Sequence, residues 1–241
     1  MKTGIIVLGK NSANEREREA VEKCCRYLAD HEHRNVRSAF HLGEPRSDKV
    51  LKKMFLEEGI DTFCILPMAI AEGNLTIWDM PKRLGLPDNS GSWTMIGNHD
   101  VAIRFSTAMG FSGYMANAML ARLGCPPPGT GAVVLAHGSR LSLSQKTAER
   151  YAAYLEDNGW KTACAFTETG SATVTDAVDV LSSAGCKRIV VIPLFIGTDG
   201  KSYLRTVKEL NDSGIEYTVT EPVSEYPEFL EVLESKVPDD W

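Results

Sequence analysis

The chain repeats itself, and that repetition restricts its fold more than any single motif does. GIIVL at residues 4–8 and AVVL at 132–135 are short β-branched apolar runs of the buried-strand type, each followed by a small polar loop and a helical stretch. The helical stretches are EREREAVEKCCRYLADH and SLSQKTAERYAAYLEDNG. Second strands follow, VRSAFHL and TACAFTE, then the helices SDKVLKKMFLEEG and TVTDAVDVLSSAG, which stop at glycine. Third strands, DTFCILPMAIAEG and RIVVIPLFIGTDG, precede the final pair VAIRFSTAMGFSGYMANAMLARL and IEYTVTEPVSEYPEFLEVLESKV. Pro67 and Pro193 lie 126 residues apart, as do Phe40 and Phe166, whereas Met109 and Val223 lie 114 apart, so an extra loop in the first half absorbs the difference. An offset kept through so many elements means two copies of one β-α-β-α-β-α-β-α unit.

Strands that are apolar throughout and alternate with helices form parallel sheets covered on both faces. The expected fold is therefore α/β: two similar domains, each a small four-stranded parallel sheet flanked by helices. The proline- and glycine-rich stretch LGCPPPGTG tolerates neither helix nor strand and marks the boundary, giving domains 1–124 and 131–241. Right-handed crossovers put the first and third strand loops of each copy at the carboxyl edge of its sheet, where open α/β sheets bind ligands. Two such domains on a short linker are expected to leave a cleft between them.

Charge and cysteine usage narrow the partners. A net charge of −6 argues against nucleic acid, which needs a basic surface. No stretch approaches the roughly 20 apolar residues of a membrane span, and the N-terminal apolar run is too short for a signal peptide, so a cytoplasmic protein without a membrane partner is expected. Cys24, Cys25, Cys64, Cys125, Cys164 and Cys186 form no C-x-x-C pair and read as reduced core thiols. EREREAVEK reads as a solvated helix face with i,i+4 pairing, and the Met and aromatic residues of FSGYMANAM as packing.

The chemistry concentrates where AVVLAHGSR ends. His137 stands at the end of a buried strand, on the ligand-binding edge, beside the loop that begins at Pro193. For a lone histidine the competing reading is a cap on the following helix. AHGSR after one strand and PLFIGTDGKSYLRTV after the third together resemble the class II tetrapyrrole chelatases, specifically the sirohydrochlorin cobaltochelatase or nickelochelatase group. In the first half PMAIAEGNLTIWDMP keeps Pro67, Gly73, Asp79 and Pro81 of the same pattern, so the resemblance spans nearly the whole chain as two tandem copies.

The resemblance implies ATP-independent insertion of a divalent metal, Co2+, Ni2+ or Fe2+, into sirohydrochlorin or a related anionic tetrapyrrole held in the inter-domain cleft. No organic cofactor is implied, and the metal is a substrate. Imidazole suits these metals at neutral pH and also accepts protons. Carried over by position, His137 is the metal-facing and catalytic histidine, and Glu168, at the end of the second strand, accepts a proton or shares the metal. The second-loop histidine falls on Lys201 in one copy and Leu75 in the other, while Lys10 of the GKNS loop stands where His137 sits. A lysine is a poor metal ligand and a good carboxylate clamp. Lys10, Ser12, Gly138, Ser139, Arg140, Lys201 and Arg205 are accordingly the expected substrate-binding residues. His41 is a further candidate to replace a lost ligand, and Trp78 and Trp93 are candidates for stacking on a flat macrocycle. The three absent histidines keep a second reading open: a non-catalytic tetrapyrrole- or metal-binding paralogue, acting as carrier or partner subunit. In either case the duplication makes a monomer the equivalent of a dimer.

Two other motifs are set aside. IGNHD at 96–100 matches a fragment of calcineurin-like metallophosphoesterases, but the chain's five histidines cannot supply the rest of that metal site, and His99 is placed in the extra loop before the fourth strand. GTDGKS at 197–202 hints at a phosphate-binding loop, yet Phe195 stands where that motif requires its first glycine.

Overall fold

In a computed structural model of the chain, residues 2–31, 33, 35–139, 141–169 and 172–238 are described, with the backbone alone for Glu168 and Thr169. The first repeat runs β1 Thr3–Asn11, α1 Glu15–Asp30, β2 Val36–Leu42, α2 Ser47–Glu58 and β3 Thr62–Pro67. A π-helical turn, Leu75–Asp79, then leads into α3 Met80–Arg83, followed by β4 Trp93–Ile96, β5 His99–Phe105 and α4 Gly113–Leu123. The second repeat runs β6 Thr130–Gly138, α5 Ser142–Asp157, β7 Lys161–Thr169, α6 Val174–Ser183, β8 Arg188–Leu194, α7 Lys201–Asp212, β9 Glu216–Val219 and α8 Pro227–Glu234. The segment between α4 and β6 is irregular, as its three consecutive prolines require.

The strand order is β2-β1-β3-β5-β4 in one sheet and β7-β6-β8-β9 in the other. The second sheet is wholly parallel. The first departs from the expected four parallel strands: its extra loop folds into β4, which pairs antiparallel with β5 and adds a fifth, edge strand. Ile96 and His99 face each other across the Gly97–Asn98 turn, so the IGNHD motif is a hairpin and His99 opens β5 instead of lying in a loop. Trp93 and Met95, on that edge, are among the exposed large hydrophobics.

Burial follows the apolar runs. Ile6, Val7 and Leu8 of β1 and Val133, Val134 and Leu135 of β6 have no exposed surface. The helices seat closely on these strands because each strand opens on a glycine. A Cβ on Gly4 would lie 2.9 Å from Met54 Cε, and one on Gly131 would lie 2.9 Å from Leu181 Cδ2. The same close approach thus recurs in both copies. Among the described residues, one core cluster gathers Phe63, Ile65 and Met54, and another gathers Val133, Val191 and Leu181.

Compact units and sequence repeats do not coincide. The chain divides into Met1–Met109 with Leu230–Trp241, and Gly110–Phe229. The last helix of each repeat therefore belongs largely with the other repeat's sheet. In the second unit Ser112 N donates to Tyr151 Oη at 3.2 Å, and the Phe111 and Tyr151 ring centroids lie 4.9 Å apart. The Met residues of FSGYMANAM pack as expected, with Met115 and Met119 buried. In the first unit the Glu234 carboxylate accepts from Tyr27 Oη at 3.1 Å and meets His31 Nδ1 at 3.0 Å and His33 Nε2 at 3.2 Å. No described helix is long and apolar enough to cross a membrane.

Candidate functional site

At the carboxyl edge of the second sheet, β6 carries His137 half-buried between Ala136 and Gly138. The ladder with β7 shifts register between Ala136 and Gly138, and Gly138 adopts φ 84°, a bulge that lets the strand end and re-aims its last side chains. Thr167 of β7 holds the histidine: its Oγ1 lies 3.2 Å from His137 Nδ1 and 3.2 Å from His137 O. A carbonyl only accepts, so both contacts are satisfied when the hydroxyl donates to the carbonyl and Nδ1–H donates to the hydroxyl. This assigns the ring lone pair to Nε2, the tautomer suited to a metal or to a pyrrole proton. The Phe195 ring stands edge-on to the imidazole at 6.3 Å.

Of the expected substrate-binding residues, Gly138, Ser139, Lys201 and Arg205 belong to the same unit as this histidine. Arg205, on the second turn of α7, donates through Nη2 to Thr167 O and lies 3.8 Å from Glu209, so it borders the strand end that positions His137. Lys201 is the exposed first residue of α7. Ser139 Oγ accepts from Leu141 N at 3.2 Å and Ser139 O accepts from Gln145 Nε2 at 3.4 Å, so this serine closes the turn into α5. Glu168 follows Thr167 in β7, which places its backbone at the same edge, while its side chain and the whole of Arg140 lie outside the described residues.

The first sheet presents different groups at the equivalent edge. The pairs Gly9–Phe40 and Asn11–Leu42 put Lys10 level with His41, as Ala136–Phe166 puts His137 level with Thr167. His41 is thus the counterpart of Thr167, and the imidazole has changed strands between the copies. Lys10 N and Asn11 N both donate to Glu17 Oε1, the second at 3.3 Å, and Asn14 Nδ2 donates to Oε2 at 3.4 Å. Glu17 is 6% exposed, so the charged start of α1 is not wholly a solvated face; burial raises its carboxyl pKa against the pull of those donors. Ser12 Oγ accepts from Glu44 N at 3.0 Å, bridging the first- and second-strand loops. Burial, then the Arg83 guanidinium, holds the His41 pKa below its ordinary value. Leu75 opens the π-helical turn, and Trp78 and Trp93 are 37% and 60% exposed.

Among the described residues no group of three or more His, Cys, Asp or Glu side chains converges to hold a metal. Sequence reasoning missed Thr167, Glu17 and Arg83. The repeat offset that aligns Phe40 with Phe166 also aligns His41 with Thr167, and that was the available signal.

The CbiX family profile matches residues 4–124 and again 131–240. A sirohydrochlorin cobaltochelatase of Methanopyrus kandleri is 38% identical over 66 residues, a match spanning 27% of this chain and about half (46%) of that protein. The structure of SirB from Bacillus subtilis with Fe3+ superposes with a TM-score of 0.72 at 16% identity, covering 98% of this chain and 94% of the other. The structure of CbiX, described as the terminal enzyme for biosynthesis of siroheme in denitrifying bacteria, superposes with a TM-score of 0.63 at 19% identity, covering 99% and 100%. At these identities the superpositions establish a shared fold.

Proposed function

The chain belongs to the CbiX family, and from that premise we propose that it is an ATP-independent chelatase inserting Co2+, Ni2+ or Fe2+ into sirohydrochlorin or a related anionic tetrapyrrole. The observation that carries this reading is His137 at the end of β6, with Thr167 Oγ1 3.2 Å from both its Nδ1 and its carbonyl oxygen. The names of the relatives, a cobaltochelatase and a structure with Fe3+, support a metal as substrate. The two family matches support assigning 1–124 and 131–241 as tandem chelatase-like domains.

Insertion forms four bonds from the macrocycle nitrogens to the metal and releases two pyrrole protons. His137 Nε2 meets the incoming metal or takes one proton, and Glu168 is assigned the other. Thr167 is a positioning residue. Lys10, Ser12, Gly138, Ser139, Arg140, Lys201 and Arg205 are assigned to the acidic rim of the macrocycle, where cations and backbone amides suit carboxylates. The free cysteines, several of them buried, fit a reducing compartment and support a cytoplasmic location for a monomer that works as a pseudo-dimer.

One observation favours the non-catalytic reading: Lys10, Leu75 and Lys201 occupy positions where the family pattern carries histidine. Anaerobic visible spectroscopy of sirohydrochlorin with the protein, before and after Co2+, Ni2+ or Fe2+, separates the two. Acceleration over spontaneous insertion supports the enzyme. A spectral shift on binding without acceleration supports the carrier, and no shift at all contradicts both.

A further inference from the structure

We propose that the carboxyl edge of the first sheet is a carboxylate-binding site built from Lys10, His41 and Arg83, suited to an acidic side group of an anionic tetrapyrrole. The proposal rests on the functional reading above and adds two residues to it.

Three side-chain atoms of the first unit are buried without a hydrogen-bond partner among the described residues: His41 Nδ1, Arg83 Nε and Ser47 Oγ. Orphaned buried polar atoms are rare, and each calls for a missing partner. Lys10 and His41 stand level at the ends of β1 and β2, and Arg83 closes α3, which follows the π-helical turn after β3. Such π turns recur at functional sites. The Arg83 guanidinium acts electrostatically on both the His41 ring and the Asp48 carboxylate. Asp48 is already engaged by Arg46, at 2.6 Å from Nε and 2.5 Å from Nη2. Among the groups facing His41, Lys10 and Arg83 are cationic and Asp79 is the acid. Glu17 also lies against Lys10, and burial favours its neutral form; with Glu17 neutral, Lys10 and Arg83 against Asp79 leave one positive charge, and a second when His41 is protonated.

An anion fits this arrangement, and a dication does not. A planar guanidinium beside an ammonium and an imidazole matches a carboxylate in charge and geometry. Occupancy favours the imidazolium, so the bound anion raises the His41 pKa, and affinity increases as pH falls through the histidine range. Arg83 Nε donates no bond within the described residues, so removing it breaks no hydrogen bond of the fold there.

The test measures binding of a metal-free octacarboxylate porphyrin and of its uncharged octamethyl ester by fluorescence, for the wild-type protein, Arg83→Gln and Arg83→Lys. Loss of one charge-assisted contact predicts binding of the acid weakened by about tenfold in Arg83→Gln and by less than about threefold in Arg83→Lys, with the ester unaffected. Equal affinities, or equal losses for acid and ester, overturn the site. If no macrocycle binds, tricarballylate decides: a His41 ring resonance that moves in the wild type and not in Arg83→Gln keeps the site while the chelatase reading falls. A resonance unmoved in both overturns the site. Metal insertion that proceeds with unchanged affinity in Arg83→Gln removes the site and leaves the chelatase standing.

Discussion

The two carboxyl edges occupy equivalent places in one repeated unit and carry different chemistry. On the second, His137 leans on Thr167, Ser144 lies buried in the following helix, and Lys201 opens α7. On the first, the same positions hold Lys10, Glu17, His41 and Leu75, and the loop is closed by a buried carboxylate that binds two strand-end amides. What did not change is the packing: Gly4 and Gly131 admit the same helix approach, and α1 and α5 are both 16 residues long. The difference teaches that duplicated copies can keep one packing while their strand ends diverge, one edge presenting an imidazole held by a threonine and the other an ammonium, a carboxylate and an imidazole. Constraint sits in the core and freedom at the strand ends.

The largest effect expected from this asymmetry is on turnover. His137→Ala should lower the metal-insertion rate by about a hundredfold or more, as loss of a general base or metal-facing group does, while metal-free tetrapyrrole still binds. Lys10→Ala should change the rate by less than about threefold and weaken affinity instead, since a rim cation contributes binding common to ground and transition states. Equal losses in the two variants would break the comparison. Next comes Thr167→Val, which removes the tether without touching the ring. Losing such a support typically costs about tenfold, so the rate should fall by about that factor, with a displaced pH–rate profile and unchanged tetrapyrrole affinity. The packing side is sharper as a pair: Gly4→Ala and Gly131→Ala should each cost about 1 kcal/mol, read as thermal midpoints, because both push against the far ends of flexible side chains. Very different costs would show that the copies have diverged in the core as well.

The smallest effect concerns Glu17. Burial raises its carboxyl pKa, so the folded chain holds this proton more readily than the unfolded chain. Its contribution to stability is then greatest below the ordinary glutamate range and is lost as pH rises through the folded value. Glu17→Gln keeps an acceptor oxygen for Lys10 and Asn11 and should remove that loss. Relative to wild type, its thermal midpoint should gain as pH rises above the ordinary glutamate range. Parallel pH curves would contradict the assignment.

Much of this fold was legible because a repeat states each element twice. The buried runs, the glycine stops and the proline linker fixed strand and helix order, and the residue pair His137 and Lys10 could be aligned by eye. The hairpin edge strand was not legible: WTMIGNHD occurs once, in the insertion that the second copy lacks, so no repeat supports it. The exchange of α4 and α8 between units was hidden because chain order says nothing of which sheet a terminal helix covers. Glu17 escaped because one carboxylate in a charged run looks like its solvated neighbours until the strand-end amides are placed beside it. Thr167 escaped because a hydroxyl that orients a histidine across two strands leaves no local pattern.

The most direct test of which edge faces the metal uses the protein's five histidines as reporters. In a two-dimensional NMR spectrum of the imidazole rings, substoichiometric Co2+ should broaden the His137 resonances first, leaving those of His31, His33, His41 and His99 sharp. If His41, or the His31–His33 pair beside Glu234, broadens while His137 stays sharp, the metal chemistry does not belong to the second edge and the central claim is wrong.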